Sequence, residues 1–320
     1  MTLHGVPVLM TGERALFLPE APCNGTTSGS TGGKTDIGND ASTDGSTGDS
    51  SDGSTGGSSG VTPTLILSDT HFGKAETFQE HGIPVPTDYT ERDLDRLRQL
   101  VCTHDARRII ILGDLFHSTR NSSWDRVLAG FQSMKKTELM LVMGNHDIIH
   151  RSDYESIGFR CVSRMSCGPF LLQHHPPGHL VNDESFDQTM TQDDDKPDSP
   201  MTRYDKKNGS YITQDVKKPG TFMTRHDEIP EKYLRHPDSE SAPGTSSPFF
   251  ICGHIHPSFR IRGTARQRIT VPCFWLRPGC LVLPAFGSFT GSHAVTTRPG
   301  DLVLLATGDS VIPHSLEPDV

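Results

Sequence analysis

No apolar run in this 320-residue chain approaches the ~18 residues of a membrane-crossing helix, so no span is expected. The opening MTLHGVPVLMTGERALF has neither a basic start nor a long apolar run, which argues against a signal peptide. There are seven cysteines, an odd number, and none forms a C-x-x-C pair. A disulfide framework is therefore not expected. A reduced, cytoplasmic protein whose cysteines fill small core positions fits better.

Two segments are poor in apolar clusters. Residues 24–60 are nearly all Gly, Ser, Thr and Asp, with DGSTG at 44–48 and again at 52–56. Residues 178–247 are polar, with an acidic run at Asp193, Asp194 and Asp195. Neither segment can bury much, so both read as inserts, the first flexible and the second mostly disordered. One Lys against five Asp gives the first a charge of −4, and nine Lys+Arg against fourteen Asp+Glu give the second −5. Together they account for the whole net charge of −9 and leave a neutral remainder. That remainder, about 210 residues, suffices for one domain with a sizeable core. Acidic residues are also missing between 249 and 300, where Arg260, Arg262, Arg266, Arg268, Arg277 and Arg298 fall. This strip reads equally as a solvated strand face or as a track for a phosphate backbone.

Against these absences stand five clusters of hard-metal ligands, each just after an apolar run. Asp69-Thr70-His71 follows TLILS, Gly113-Asp114 follows RIIIL, and Gly144-Asn145-His146-Asp147 follows ELMLVM. His174-His175 follows GPFLLQ, and Gly253-His254-Ile255-His256 follows FFIC. Runs rich in Ile, Leu and Val read as buried strands, so the ligands sit at strand ends, where the loops of an α/β sheet converge. Carboxylate, imidazole and amide oxygens suit Mn, Fe or Zn better than a thiolate-seeking metal.

LHGVPVLM and ALFLP, split by TGER, read as an opening hairpin. Helices are predicted over 90–102, capped by Thr90 with Leu94, Leu97 and Val101 on one face, and over 122–136, with Trp124, Val127, Leu128 and Phe131 on one side. The resulting β-α-β-α-β order predicts a parallel central sheet. After residue 150, GFRCV, GPFLLQ, FFICG, SFRIRG, QRITVPCFWL, CLVLPAF and DLVLLA read as short strands, giving a mixed α/β protein of two face-to-face sheets with helices outside. Gly32-Gly33-Lys34-Thr35 imitates the end of a phosphate loop, but position 28 is Ser and no strand precedes it, so chance accounts for it.

The order Asp-x-His, Gly-Asp, Gly-Asn-His-Asp, His, Gly-His-x-His resembles the calcineurin-like metallophosphoesterases. The resemblance covers nearly all of the chain outside the inserts. It implies a four-layer αββα sandwich of two mixed sheets, built as one domain over 1–320 and interrupted at 24–60 and 178–247. It also implies two divalent metal ions, manganese first, with Fe or Zn as the other options. Asp69, His71 and His256 would hold the first ion; Asn145, His174 and His254 would hold the second; Asp114 would bridge them. A hydroxide held between the ions would attack phosphorus. His146 would serve the leaving oxygen, with Asp147 fixing its tautomer. The family's L-x-H-x-P pattern selects His174 in Leu172-Gln173-His174-His175-Pro176, with His175 as the alternative. His117, in GDLFH, resembles a position of Mre11-like nucleases and is either a substrate contact or a rim residue. Lys74 and Arg120 are phosphate-contact candidates by position.

A closer resemblance rests on DTHFGKAETFQEHGIPVP, GDLFHS, GNHD, GHIHPSFRIRG, RQRITVPCFWL and LPAFGSFTG. These look like the bacterial ligase-associated DNA damage response endonucleases. That family implies a manganese-dependent DNA-repair phosphodiesterase acting on single-stranded or flapped DNA, with activity on cyclic nucleotides and association with a DNA ligase and a DEXH-box helicase. Two other classes stand beside this reading. One is a small-molecule phosphoesterase, and the other a non-catalytic scaffold, which the filled ligand positions disfavour.

Overall fold

Continuous apolar runs form strands here because both of their faces are covered. In RIIIL, Ile109 and Ile111 turn towards the helices while Ile110 and Leu112 turn towards a second sheet. The computed structural model describes residues 2–21, 61–178, 248–263 and 267–314, and the backbone of 203–205 and 210–212. The first insert, the Gly-Gly-Lys-Thr imitation, Arg266 and most of the second insert lie outside the described residues.

The chain opens with two hairpins, β1 (Thr2–Leu3) with β2 (Val6–Pro7), and β3 (Leu9–Met10) with β4 (Leu16–Ala21). Then follow β5 (Thr62–Leu67), α1 (Lys74–Glu80), α2 (Tyr89–Thr103), β6 (Arg108–Leu112), α3 (Trp124–Ser133), β7 (Glu138–Val142), α4 (Arg151–Ile157) and β8 (Phe159–Val162). Strands β5 to β8 run parallel in a six-stranded sheet of order β3-β4-β5-β6-β7-β8, with β4 antiparallel to β5.

The strand-rich remainder gives β9 (Met165–Cys167), β10 (Phe170–Leu172), β11 (Arg203–Asp205), β12 (Ser210–Ile212), β13 (Phe249–Cys252) and β14 (Pro257–Arg262). It ends with β15 (Arg268–Arg277), β16 (Cys280–Val282), β17 (His293–Ala294), β18 (Leu302–Ala306) and β19 (Val311–His314). Apart from the β11–β12 ribbon, these form a mixed nine-stranded sheet of order β17-β14-β15-β16-β13-β10-β9, extended by β18 on β15 and β19 on β18.

The main core lies between the sheets, where Ile66, Ile110, Leu112 and Met140 meet Leu172, Ile251, Phe274 and Leu281. A second cluster joins the outer face of the first sheet to α2, α3 and α4. A third, with Cys252, Cys273, Trp275 and Val303, lines the other face of the second sheet.

The predicted helices 90–102 and 122–136 are α2 and α3, but Thr90 is not the cap expected of it. It lies in the first turn, buried, and its hydroxyl donates to Glu76 on α1 at 3.0 Å. The sequence reading missed α1 and α4; at seven residues each they are too short for a helical period to show. The cysteine expectation is corrected in one respect. Cys161, Cys252, Cys273 and Cys280 are free and buried and Cys102 is free and exposed, but Cys167 is disulfide-bonded.

Candidate dimetal centre

The five clusters meet where β5, β6, β7, β10 and β13 end. Turning the chain back at each strand end requires unusual backbone, and it is concentrated here. Of the eight non-glycine residues with positive φ among the described residues, five are Asp69, His71, Asp114, His254 and His256. Such conformations cost on the order of 1–3 kcal/mol each and persist only where surrounding structure enforces them. Glycines make the close approaches. A Cβ on Gly113, at φ 77, would fall 2.2 Å from His174 Nδ1, and one on Gly144 would fall 2.3 Å from Asp114 Oδ1.

Asp69 is fully buried, and its Oδ2 accepts the His254 backbone N–H at 3.0 Å. Its Oδ1 has no hydrogen-bond partner and lies 3.3 Å from His256 Nε2. The His256 ring is oriented from behind, with Nδ1 3.1 Å from the Gly291 carbonyl. His71 Nε2, also without a hydrogen-bond partner, lies 3.6 Å from Asp114 Oδ2. Three buried, unsatisfied donor atoms thus face one another.

On the other side, His174 Nδ1 lies 2.8 Å from the Leu112 carbonyl. A carbonyl only accepts, so Nδ1 carries a proton, and in the neutral ring that can bind a metal Nε2 presents a lone pair. That lone pair faces Asn145 Oδ1 at 2.9 Å, His254 Nδ1 at 3.2 Å and Asp114 Oδ2 at 3.5 Å. Acceptors converging on acceptors repel unless a cation lies between them. Donors about 2.1 Å from one ion and at roughly right angles lie about 3 Å apart, close to this spacing. The residues therefore fit divalent metal on both sides. Asp114 Oδ2 belongs to both groups.

The charged groups of the site also shift one another's protonation. Burial alone would raise the Asp69 carboxyl, but His256 and His174 outweigh it and hold it at about 2. Asp114 is pushed up to about 6 by burial and by Asp69, against the pull of His174. Burial opposes the His256 imidazolium, but Asp69 and Asp114 raise it nonetheless. Burial drives His254 down to about 3, helped by His174 and His175. His71 is held well below its ordinary value by burial, His256 and Lys74.

His174 and His175 both come within reach of His254, but only His174 also reaches Asn145 and Asp114. His174 is 2 % exposed and continues the inward alternation of Phe170 and Leu172, while His175 is exposed. His146 packs against the His71 ring at 5.1 Å between centroids, and its Nδ1 lies 3.1 Å from the His117 carbonyl. The expected role of Asp147 is corrected here. Its carboxylate does not orient His146; Oδ2 accepts from the backbone N–H groups of Asp114 and Gly144, and Oδ1 accepts from Leu115. Asp147 ties the β6 loop to the β7 loop, and the His117 carbonyl fixes the imidazole instead.

His117 stacks on His146, with centroids 5.6 Å apart and planes at 18°. Lys74 is buried, and its charge reaches His71 and His117. Arg120 does not join the site. It pairs with Asp153 at 2.6 Å and lies over Trp124 at 4.2 Å, which anchors α4. The sequence reading missed the support behind the ligands. Arg14 donates to the carbonyls of Ala285 and Gly287, and Arg96 to that of Phe286, holding the loop that reaches Asp69 and His256. The glycines of GSFTG were the only hint in the sequence.

Burial, Lys74 and His146 hold His117 down at about 3. In the unfolded chain its pKa is about 6.5, so the unfolded state binds the extra proton as pH falls below that value, and folded stability is lost. In chelator, His117→Gln is expected to keep more of its melting temperature between pH 7 and pH 5 than the parent protein. Parallel melting curves would refute a neutral, half-buried His117.

A family model of calcineurin-like phosphoesterases matches residues 62–267. The chain is similar in fold to the nuclease MPE of Pseudomonas putida, at 20% identity over 98% of both chains, with a TM-score of 0.56. It also aligns with Yfce, a phosphoesterase from E. coli, at 13% identity over 78% of this chain and 96% of that one, with a TM-score of 0.32. No curated protein matches it.

Proposed function

The chain belongs to the calcineurin-like phosphoesterase family, metal-dependent hydrolases, and on that premise we propose that it is a dimetal phosphodiesterase that cuts DNA strands, single-stranded or flapped. One observation carries the reading. Asp114 Oδ2 lies 3.6 Å from His71 Nε2 and 3.5 Å from His174 Nε2, so one carboxylate oxygen serves two ligand groups. Asp69, His71 and His256 would hold one ion, and Asn145, His174 and His254 the other, with Asp114 shared. Nitrogen and hard oxygen donors suit Mn, Fe or Zn, and the family resemblance puts manganese first.

When bound, the ions supply Lewis-acid charge to the phosphate oxygens and lower the pKa of a water. The protein's own groups do the rest. His146 is held by Nδ1, which leaves Nε2 to exchange a proton with the leaving oxygen. His117 covers one face of that ring. Lys74 adds a buried positive charge beside the first ligand group, where a phosphate oxygen would sit.

The choice of DNA over a small phosphoester draws on the sequence motifs outside the ligands and on the fold shared with a nuclease. A role in DNA repair beside a ligase and a helicase belongs to the same proposal. Purified protein with Mn²⁺ is expected to nick single-stranded DNA, at a rate that falls steeply as salt rises. Hydrolysis of an aryl phosphodiester without any strand cleavage would move the assignment to a small-molecule enzyme.

A further inference from the structure

The arginine strip resolves into different kinds of residue. Arg277 is buried and pairs with Asp301 at 3.2 Å, beside Trp275, so it belongs to the core. Arg260, Arg262 and Arg268 are exposed on the β14–β15 ribbon. In register, Arg260 faces Thr270 and Arg262 faces Arg268. Directly paired residues of an antiparallel ribbon point to the same side, as do residues two apart on one strand. All three guanidinium groups therefore leave the same face. The opposite face carries Phe259, Ile261 and Val271, which pack on the third hydrophobic cluster, with Phe259 against His314.

Two features mark this face. Every arginine from Arg92 to Arg151 pairs with a carboxylate. Among the described residues, none of the three guanidinium groups on the ribbon has a hydrogen-bond, ion-pair or ring partner, a property shared with Arg160 and Arg164 but here gathered on one face. The ribbon also puts Arg262 directly opposite Arg268, and like charges in that position cost stability. An anion laid across the pair removes that cost. The face is also close to the ligands, because β14 begins at Pro257, the residue after His256. Arg260 is four residues on, at most about 13 Å of strand.

We propose that Arg260, Arg262 and Arg268 form the track on which the sugar-phosphate backbone of a single nucleic-acid strand lies as it enters the metal centre. The inference rests on the phosphodiesterase reading above and extends it to the surface. Guanidinium groups grip phosphate oxygens by charge and by paired N–H donors without reading bases, as a sequence-tolerant track requires.

The test uses the full chain in chelator, where binding is separated from cleavage. A labelled single-stranded oligonucleotide is titrated across a salt series and followed by fluorescence anisotropy. The triple variant R260A/R262A/R268A is expected to bind at least about tenfold more weakly, and the slope of log affinity against log salt should shrink by about 2, since each phosphate contact contributes about 0.7. The triple lysine variant should keep the parent slope. With Mn²⁺ restored, hydrolysis of bis(p-nitrophenyl) phosphate by the alanine variant should match the parent. Unchanged affinity and slope would overturn the track, as would an equal loss on the aryl substrate. Whether the parent protein cuts DNA at all is scored separately and bears on the phosphodiesterase reading.

Discussion

Asp114→Ala is expected to lower metal-dependent phosphodiester hydrolysis by on the order of a thousandfold or more while leaving the fold intact. The side chain does two things. Its Oδ2 lies between the His71 and His174 imidazoles, and its Oδ1 accepts the backbone N–H of His146 at 2.9 Å. Alanine removes both. It leaves one carboxylate, Asp69, to offset two divalent ions, so bound metal should fall below two equivalents per chain. Asp114→Asn separates the roles, because an amide oxygen can still accept from His146 but carries no charge. It should also lose metal and activity, with a melting temperature close to the parent's. Metal content by elemental analysis, aryl phosphodiester hydrolysis and circular dichroism decide the matter. Either variant keeping full activity would end the dimetal assignment.

The site was legible because each ligand follows a strand whose two faces are buried. RIIIL and ELMLV announce themselves as unbroken apolar runs, and the residues after them must turn at the sheet's end. The inward turn of His174 was legible too. Phe170 and Leu172 are buried while Leu171 and Gln173 are less so, and continuing that alternation turns His174 inward. What stayed hidden has partners that no linear motif shows. Arg14 donates to a backbone carbonyl 271 residues away in sequence, and Arg96, besides its ion pairs with Glu13 and Asp93, to one 190 residues away. Asp147 works through backbone N–H groups, so its place beside His146 in the motif suggested the wrong partner. Arg120 stood near a ligand loop in sequence, yet Asp153 and Trp124 claim it.

Asp147→Asn is the sharpest test of that correction. The substitution keeps shape and removes only charge and one acceptor. In the parent, both carboxylate oxygens accept backbone N–H groups, at 2.9 Å from Asp114, 2.8 Å from Gly144 and 2.9 Å from Leu115. A carboxamide has one oxygen, so in either orientation its NH₂ faces an N–H that it cannot satisfy. A buried donor left without an acceptor, together with a donor pressed against it, costs about 2–4 kcal/mol. For a domain of this size the melting temperature should fall by about 5–15 °C. Activity should fall as well, because the same N–H groups set Asp114 and Gly144 at the distance that a Cβ on Gly144 would already violate. A side chain that merely held the His146 tautomer would behave differently. Its loss would shift the pH profile of hydrolysis and leave the melting curve in place. That second pattern would return Asp147 to His146 and remove the clamp between the β6 and β7 loops.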